Sequence, residues 1–336
     1  MSTVKQVGLL IDTFDPPHAG HLRVAEKMLK NKADEVWLLP TADGQSTVAP
    51  AEQRSQMCHL AAKGNKCLKV RETALKHPGT TEEILERLQK KNPDVRFILP
   101  ETSKAAEWAV ESKKIREHLS SYEDPDSLNE KILCYIAENG LYIPNRLPEL
   151  SSMISEKRLR HTLGVRKTAV QLAVLHKGPI MKSAVAALMH DCAKGLPDAV
   201  LLKMADEHCP VAQETGMHTY PVLHGPVGAY LAKEKFGISD HEILNAIVYH
   251  TVGRPGMTKL DLIIFVADAI EPNREEYPTL QAIRKAAKKS LVKAAYISIR
   301  GTCDYLKASG KQMDPASYAT IEDLKLQLGG KNKKTK

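Results

Sequence analysis

Val7-Gly8-Leu9-Leu10-Ile11-Asp12-Thr13-Phe14-Asp15-Pro16-Pro17-His18-Ala19-Gly20-His21 runs from an apolar stretch through a proline-containing turn into a helical pattern. A short apolar run closed by an aspartate predicts a buried strand. A helix is expected over about 21–29. The junction puts Thr13, Phe14, His18 and His21 where an open parallel sheet offers backbone N–H groups and a helix dipole to an anion. His18 and His21, three apart at a helix start, share one face. From the residues alone they either donate to the phosphates of a nucleotide or cap the helix and its turn.

Outward from this stretch the same alternation continues. Strands are expected at 35–39, 67–71 and 95–99, and helices at 54–62, 81–90, 114–119 and 127–138. This order predicts a parallel sheet in a doubly wound α/β domain. Asn139-Gly140 and the Pro144/Pro148 stretch punctuate its end. Beyond about residue 150 strand signals vanish. Helical periodicity covers 155–176, 182–194, 198–208, 225–236, 240–250, 259–271 and 279–308, with Asp240 and Thr258 at N-cap positions. The expected organisation is an α/β domain over 1–149, an all-α domain over 150–328, and a Lys-rich disordered tail over 329–336.

A length of 336 residues fits two domains. With 43% hydrophobic and 26% charged residues, the chain is not disordered, collagen-like or coiled-coil. The 5% aromatic content favours aliphatic helical packing. No apolar run approaches the ~20 residues of a membrane span; the best, 260–270, contains Asp261 and Asp268. No secretory signal is expected, since Asp12 follows the first apolar run at once. Six cysteines without a CxxC pair suit a reducing cytoplasm. Of the net +8, four charges come from Lys331, Lys333, Lys334 and Lys336. No nucleic-acid or membrane partner is therefore expected, and a homodimer stays open.

The all-α half carries His161, His190-Asp191, His224, His250 and Asp268 in that order, each on an expected helix or at its end. The bland reading is that His190-Asp191 merely ends a helix. Six such groups favour a metal site instead. Histidine and carboxylate donors without cysteine suit Fe, Mn, Co, Mg or Zn. Two ions ~3.5–4 Å apart would clamp phosphoryl oxygens and activate water. Lys194, four after His190, is expected on the same helix face, either holding phosphate or solvated at the helix end. Arg254, after His250-Thr251-Val252-Gly253, either binds phosphate bidentately or lies on the surface. His176, His208, His218 and His241 read as ordinary core or surface residues, and Asp206, Asp240 and Asp261 as helix caps or solvated groups.

Two resemblances follow. The motif Thr13-Phe14-Asp15-Pro16-Pro17-His18-Ala19-Gly20-His21 resembles the HxGH nucleotidyltransferases, above all the nicotinate-mononucleotide adenylyltransferases. It is extended by Arg54, the 77–81 stretch, Trp108, Ile115-Arg116 and the 136–142 stretch. The resemblance implies ATP-phosphate binding by His18 and His21, and a nucleotide site that includes Thr13, Phe14 and Arg116. This sequence departs from that family at Ile11 and Asp12, where the family has glycines. It has no lysine over 40–50. It carries Pro100-Glu101-Thr102 for the family's Gly-x-Asp, and Glu111-Ser112-Lys113-Lys114 for a Ser/Thr cluster. It is also shortened between Trp108 and Ile115. The departures predict weak or lost NAD-synthesis activity.

The second half is similar to HD-domain metal-dependent phosphohydrolases, and specifically to symmetrical bis(5′-nucleosyl)-tetraphosphatases. The residues that carry this are Arg160-His161-Thr162-Leu163-Gly164-Val165, His190-Asp191, Ala193-Lys194, His224-Gly225, Val227-Gly228-Ala229, His250-Thr251, Gly253-Arg254, Ala267-Asp268, Ile270-Glu271-Pro272 and Arg274. The resemblance implies a first metal on His161, His190, Asp191 and Asp268. A second would lie on His224 and His250 with Asp191 bridging, and iron is a frequent metal. It further implies hydrolysis of diadenosine tetraphosphate, or another dinucleoside polyphosphate, to two ADP, with Asp191, Lys194 and Arg254 catalytic. Three alternatives stand beside it. The chain could be a working adenylyltransferase with an accessory HD half. The first domain could be a nucleotide-binding regulatory module. The HD substrate could be a cyclic dinucleotide or nucleoside monophosphate, although no Gly-Tyr-Pro motif of the cyclic-di-GMP branch follows the later histidines.

Overall fold

Val7, Leu9, Trp37 and Leu39 pack on one side of a sheet, and Leu10, Val36 and Leu38 on the other. This period-two division of almost wholly apolar strands is what a parallel sheet covered on both faces requires. The computed structural model describes residues 4–42, 44, 47–100, 104–215, 217 and 219–330. Glu101 and Thr102, His218 and the 331–336 tail lie outside the described residues. The chain forms two compact units, Met1–Pro144 and Asn145–Lys336.

In the first unit the elements run β1 (Lys5–Asp12), α1 (Ala19–Lys30), β2 (Glu35–Pro40), α2 (Ala51–Ala62), β3 (Leu68–Val70), α3 (Thr73–Lys76), α4 (Thr81–Lys91), β4 (Val95–Ile98), α5 (Lys104–Ser120) and α6 (Glu130–Asn139). The strands are parallel, in the order β3-β2-β1-β4. Phe14, Met28 and Trp108 cover one face, while Ala74, Ile84 and Leu88 cover the other. Gly8 lets α1 close on β1, because a Cβ there would lie 2.8 Å from Met28 Cε. All four expected strands form. The helix expected at 114–119 is the end of the longer α5.

In the second unit the helices are α7 (Leu147–Met153), α8 (Glu156–His176), α9 (Ile180–Met189), α10 (Asp198–His208), α11 (Pro210–Thr215), α12 (Tyr220–Glu234), α13 (His241–Tyr249), α14 (Lys259–Ile270), α15 (Leu280–Ala287), α16 (Leu291–Ala308) and α17 (Pro315–Gly330). No strand occurs among its described residues. Four expectations are corrected. The 279–308 helix is two, because Ser290 breaks the chain's path and caps α16 by accepting from Lys293 N. The 182–194 helix stops at Met189, so Lys194 lies in a turn and on no helix face. Helix α12 begins at Tyr220, five residues before Gly225. Finally, Gly329 belongs to α17, a helix that weak apolar patterning hid.

Candidate metal centre

The ends of four helices and the middle of a fifth deliver the second unit's polar cluster. His161 comes from α8 and Asp268 from α14; His190 and His250 are the C-caps of α9 and α13. Each C-cap ring turns back on its own helix. His190 Nδ1 donates to Ala187 O and His250 Nδ1 to Ile247 O, both at 2.7 Å. A helix end leaves such carbonyls unpaired, so each ring meets a local need while its Nε2 faces away. His224 lies inside α12. Its neighbour Gly225 lets α12 rest on the α13 backbone, since a Cβ there would be 2.4 Å from Val248 O.

All six expected ligands meet. Asp191 Oδ1 stands 3.3 Å from His224 Nε2 and 3.6 Å from His250 Nε2, while its Oδ2 stands 3.6 Å from His190 Nε2 and 3.9 Å from His161 Nε2. Asp268 Oδ1 lies 3.0 Å from His161 Nε2 and 3.7 Å from His190 Nε2. Three groups, His161/His190/Asp191, His190/His250/Asp268 and Asp191/His224/His250, each gather their donor atoms within 4.8 Å.

Proton placement decides what this cluster can hold. His161 Nδ1 donates to Glu271 Oε1 at 3.0 Å, so in neutral His161, His190 and His250 the proton sits on Nδ1 and Nε2 keeps its lone pair. The Nε2 atoms of His161 and His190 are buried without a hydrogen bond, although carboxylate oxygens face them. Acceptor facing acceptor is unfavourable until a cation lies between, and a divalent metal fits this donor set. Burial opposes charge on His190, yet Asp191 and Asp268 push its pKa up. Burial likewise opposes ionisation of both aspartates, yet His190 and the other rings hold Asp191 well below the usual carboxylate range, and His161 and His190 do the same for Asp268.

His224 is the exception. Lys194 Nζ stands 3.0 Å from its Nδ1, and its Nε2 is 3.0 Å from His250 Nε2. An ammonium can only donate, so neutral His224 carries its proton on Nε2 and passes it toward His250. Burial brings the His224 pKa down to about 4 and also lowers that of Lys194. Lys194 thus reaches the cluster from a turn. Arg254 does not reach it. Its Nε and Nη2 bond Asp261 Oδ2 at 3.0 and 2.8 Å, and it stacks on Tyr249. Asp261, expected to cap or be solvated, does cap α14 but is buried. The guanidiniums at the carboxylates are instead Arg158, 2.6 Å from Asp191 Oδ2, and Arg274, which pairs with Asp268 Oδ1. Sequence reading gave Arg158 and Glu271 no role; the signal available was the position of Arg158 on the same helix, one turn before His161.

In the first unit the rings of His18 and His21 lie 3.9 Å apart, backed by Phe14 and Trp108. The two rings cap α1 and share one face. His18 Nδ1 accepts from Gly20 N and His21 Nδ1 from His18 N, each at 3.1 Å. Arg54 donates to Thr13 O. Arg116 donates to Asp15 O, and Tyr142 Oη donates to Asp15 Oδ1 at 2.7 Å. Phe14 is buried at φ +51°.

The HD domain family matches residues 158–273, and the cytidylyltransferase-like family matches 9–139. A Bacillus subtilis protein named symmetrical bis(5′-nucleosyl)-tetraphosphatase is 38% identical over 172 residues, covering 51% of this chain and 91% of that protein. A Mycoplasma pneumoniae protein, a probable nicotinate-nucleotide adenylyltransferase/Ap4A hydrolase, is 27% identical over 85% of this chain and 96% of its own. Among solved structures, a predicted HD superfamily hydrolase involved in NAD metabolism from Clostridium acetobutylicum is 35% identical. It matches 54% of this chain and 95% of its own with a TM-score of 0.52.

Proposed function

Since its second half makes this chain a member of the symmetrical bis(5′-nucleosyl)-tetraphosphatase family of HD-domain hydrolases, we propose that it cleaves diadenosine tetraphosphate to two ADP. The observation that carries the reading is the convergence of buried, unbonded Nε2 atoms of His161 and His190 on Asp191 and Asp268. His161, His190, Asp191 and Asp268 would hold one ion, and His224 and His250 a second, with Asp191 shared. Iron is the proposed metal; Mn, Co, Mg and Zn suit the same donors. When bound, such ions supply Lewis acidity and a water of lowered pKa.

The chain's own groups do the rest. Arg158, Arg274 and Lys194 offer guanidinium and ammonium donors beside the carboxylates, where a polyphosphate chain would lie. Lys194 donates to His224 Nδ1 and so holds that ring in place beside Asp191. Arg254, bound to Asp261, would act by fixing the loop after α13 rather than by touching phosphate. We place the enzyme in the cytoplasm. The free state of all six cysteines supports this, and no helix among the described residues is long and apolar enough to cross a membrane.

For the first unit, the departures at Asp12, Glu111 and the 40–50 stretch support an adenylyltransferase fold with weak or no transferase activity. The paired His18 and His21 favour a second reading, in which that activity persists. Replacing His18 separates the two, since only a transferase would suffer. The primary test is incubation of the full chain with diadenosine tetraphosphate and iron or manganese under reducing conditions. ADP as sole product supports the proposal; ATP plus AMP, or no turnover with any metal, overturns it.

A further inference from the structure

Helix α1 begins where a parallel sheet binds anions, and its donors are already taken. Ala19 N donates to Ser127 O at 2.9 Å, Gly20 N to His18 Nδ1, and His21 N to His18 O. Because both Nδ1 atoms accept backbone N–H groups, each neutral ring carries its proton on Nε2. His21 spends that proton on Asp12 Oδ2 at 2.8 Å. A second carboxylate lies over the helix start. Glu111 Oε1 is 3.6 Å from His18 Nδ1, and its Oε2 would be 2.8 Å from a Cβ at Gly20. Arg116, the nearby cation of the motif, is bound to Asp15. Among the described groups, the ring donor left without a close hydrogen-bond partner is His18 Nε2, 1% exposed and near the Trp108 backbone, while the exposed Arg23 pairs with Glu111 Oε2 at 3.8 Å. A buried N–H left over at a helix start marks a place shaped for an anion.

We propose that Asp12 and Glu111 are a built-in anion that closes this phosphate cradle, so that each carboxylate weakens the binding of nucleotide polyphosphates to the first unit. A carboxylate at a helix N-terminus satisfies the dipole as a phosphate would. Two of them also repel any polyphosphate that approaches. The device is an autoinhibitory contact within one unit. It concerns binding, and so stands apart from the hydrolase reading of the second unit.

The two tryptophans, Trp37 and Trp108, both lie in the first unit, and the Trp108 ring lies 5.0 Å from that of His21, tilted to it. In full-length chain carrying Trp37→Phe, the emission of Trp108 reports on the cradle alone. The probe is inorganic tripolyphosphate, titrated with EDTA present. The parent should show no saturable change. Asp12→Gly combined with Glu111→Ala should bind at least about tenfold more tightly than any parent response, ~1.4 kcal/mol. A parent that binds as tightly as the double variant overturns the proposal, as does a double variant that melts cooperatively yet stays blind to the probe. Should the double variant fail to fold, Glu111→Ala alone decides. Its carboxylate is part-exposed, and absence of any gain there also overturns the proposal. Hydrolysis of diadenosine tetraphosphate, assayed separately, is expected to be the same in parent and variants.

Discussion

The two units use the same side chains for opposite purposes. In the second, His161, His190 and His250 give their Nδ1 protons to oxygens of Glu271, Ala187 and Ile247, and His161 and His190 turn Nε2 atoms without hydrogen bonds toward carboxylates. In the first, His18 and His21 receive backbone N–H groups on Nδ1 and present Nε2–H outward. The former geometry suits a cation, the latter an anion. Residue type and carboxylate neighbours are alike in both places. What differs is the partner of Nδ1: for His190 and His250 a carbonyl at the C-terminal end of the ring's own helix, for His161 the Glu271 carboxylate, and for His18 and His21 an N–H at a helix N-terminus. Carbonyls are left over at one end and N–H groups at the other.

The harshest way to break this comparison is to remove the shared carboxylate. Asp191 faces all four histidines of the cluster. Asp191→Ala should lose bound metal and lower hydrolysis by about 10³-fold or more, as expected where a bridging ligand is deleted. Metal content per chain and ADP release are the readouts. An Asp191→Ala protein that retains both would show that the rings converge for another reason.

A finer test leaves every ligand in place. Glu271 fixes the His161 tautomer from a position 110 residues away. Glu271→Gln can present its amide N–H₂ to Nδ1 and so favour the tautomer that hides the Nε2 lone pair. Metal affinity should fall about 10–100-fold, the usual effect of losing such a partner. Dissociation constants from metal-competition titration would measure it. His18→Gln, in the anion-type cluster, should leave that affinity unchanged. Equal effects of the two substitutions would erase the distinction drawn between the units.

Much of this was legible in the sequence, and the exceptions share a cause. The sheet was readable because Val7, Leu9 and Leu39 sit in short apolar runs bounded by breakers. The six side chains of the His/Asp cluster were readable because each falls at or near an expected helix end. Lys194 was placed near the site by a wrong route, since the helix meant to carry it ends at Met189. Arg254 is left between a phosphate ligand and a surface group, because nothing local reveals that Asp261 would be buried against it. Arg158 and Glu271 gain their roles only through contacts with residues 33 and 110 positions away. Periodicity reports which face of a helix is apolar. It does not report which polar group on another helix that face will meet.

The smallest effect expected is in stability, and it takes opposite signs in the two clusters. Burial first, and the neighbouring His21 second, bring the His18 pKa down to about 3 from an ordinary 6.5. A depressed pKa contributes stability that is fully present above 6.5 and is lost as pH falls from there toward 3, because the unfolded chain takes up the proton first. The slope from this one group is at most ~1.4 kcal/mol per pH unit. His190 is displaced upward, so in metal-free protein its contribution is present at low pH and lost as pH rises through its folded pKa. Urea unfolding followed by tryptophan emission reads the first unit, where both tryptophans lie. Between pH 6.5 and 5 the parent should lose stability more steeply than His18→Gln. Parallel curves would mean that His18 is charged in the folded chain, and the anion-type tautomer assigned to it would fall.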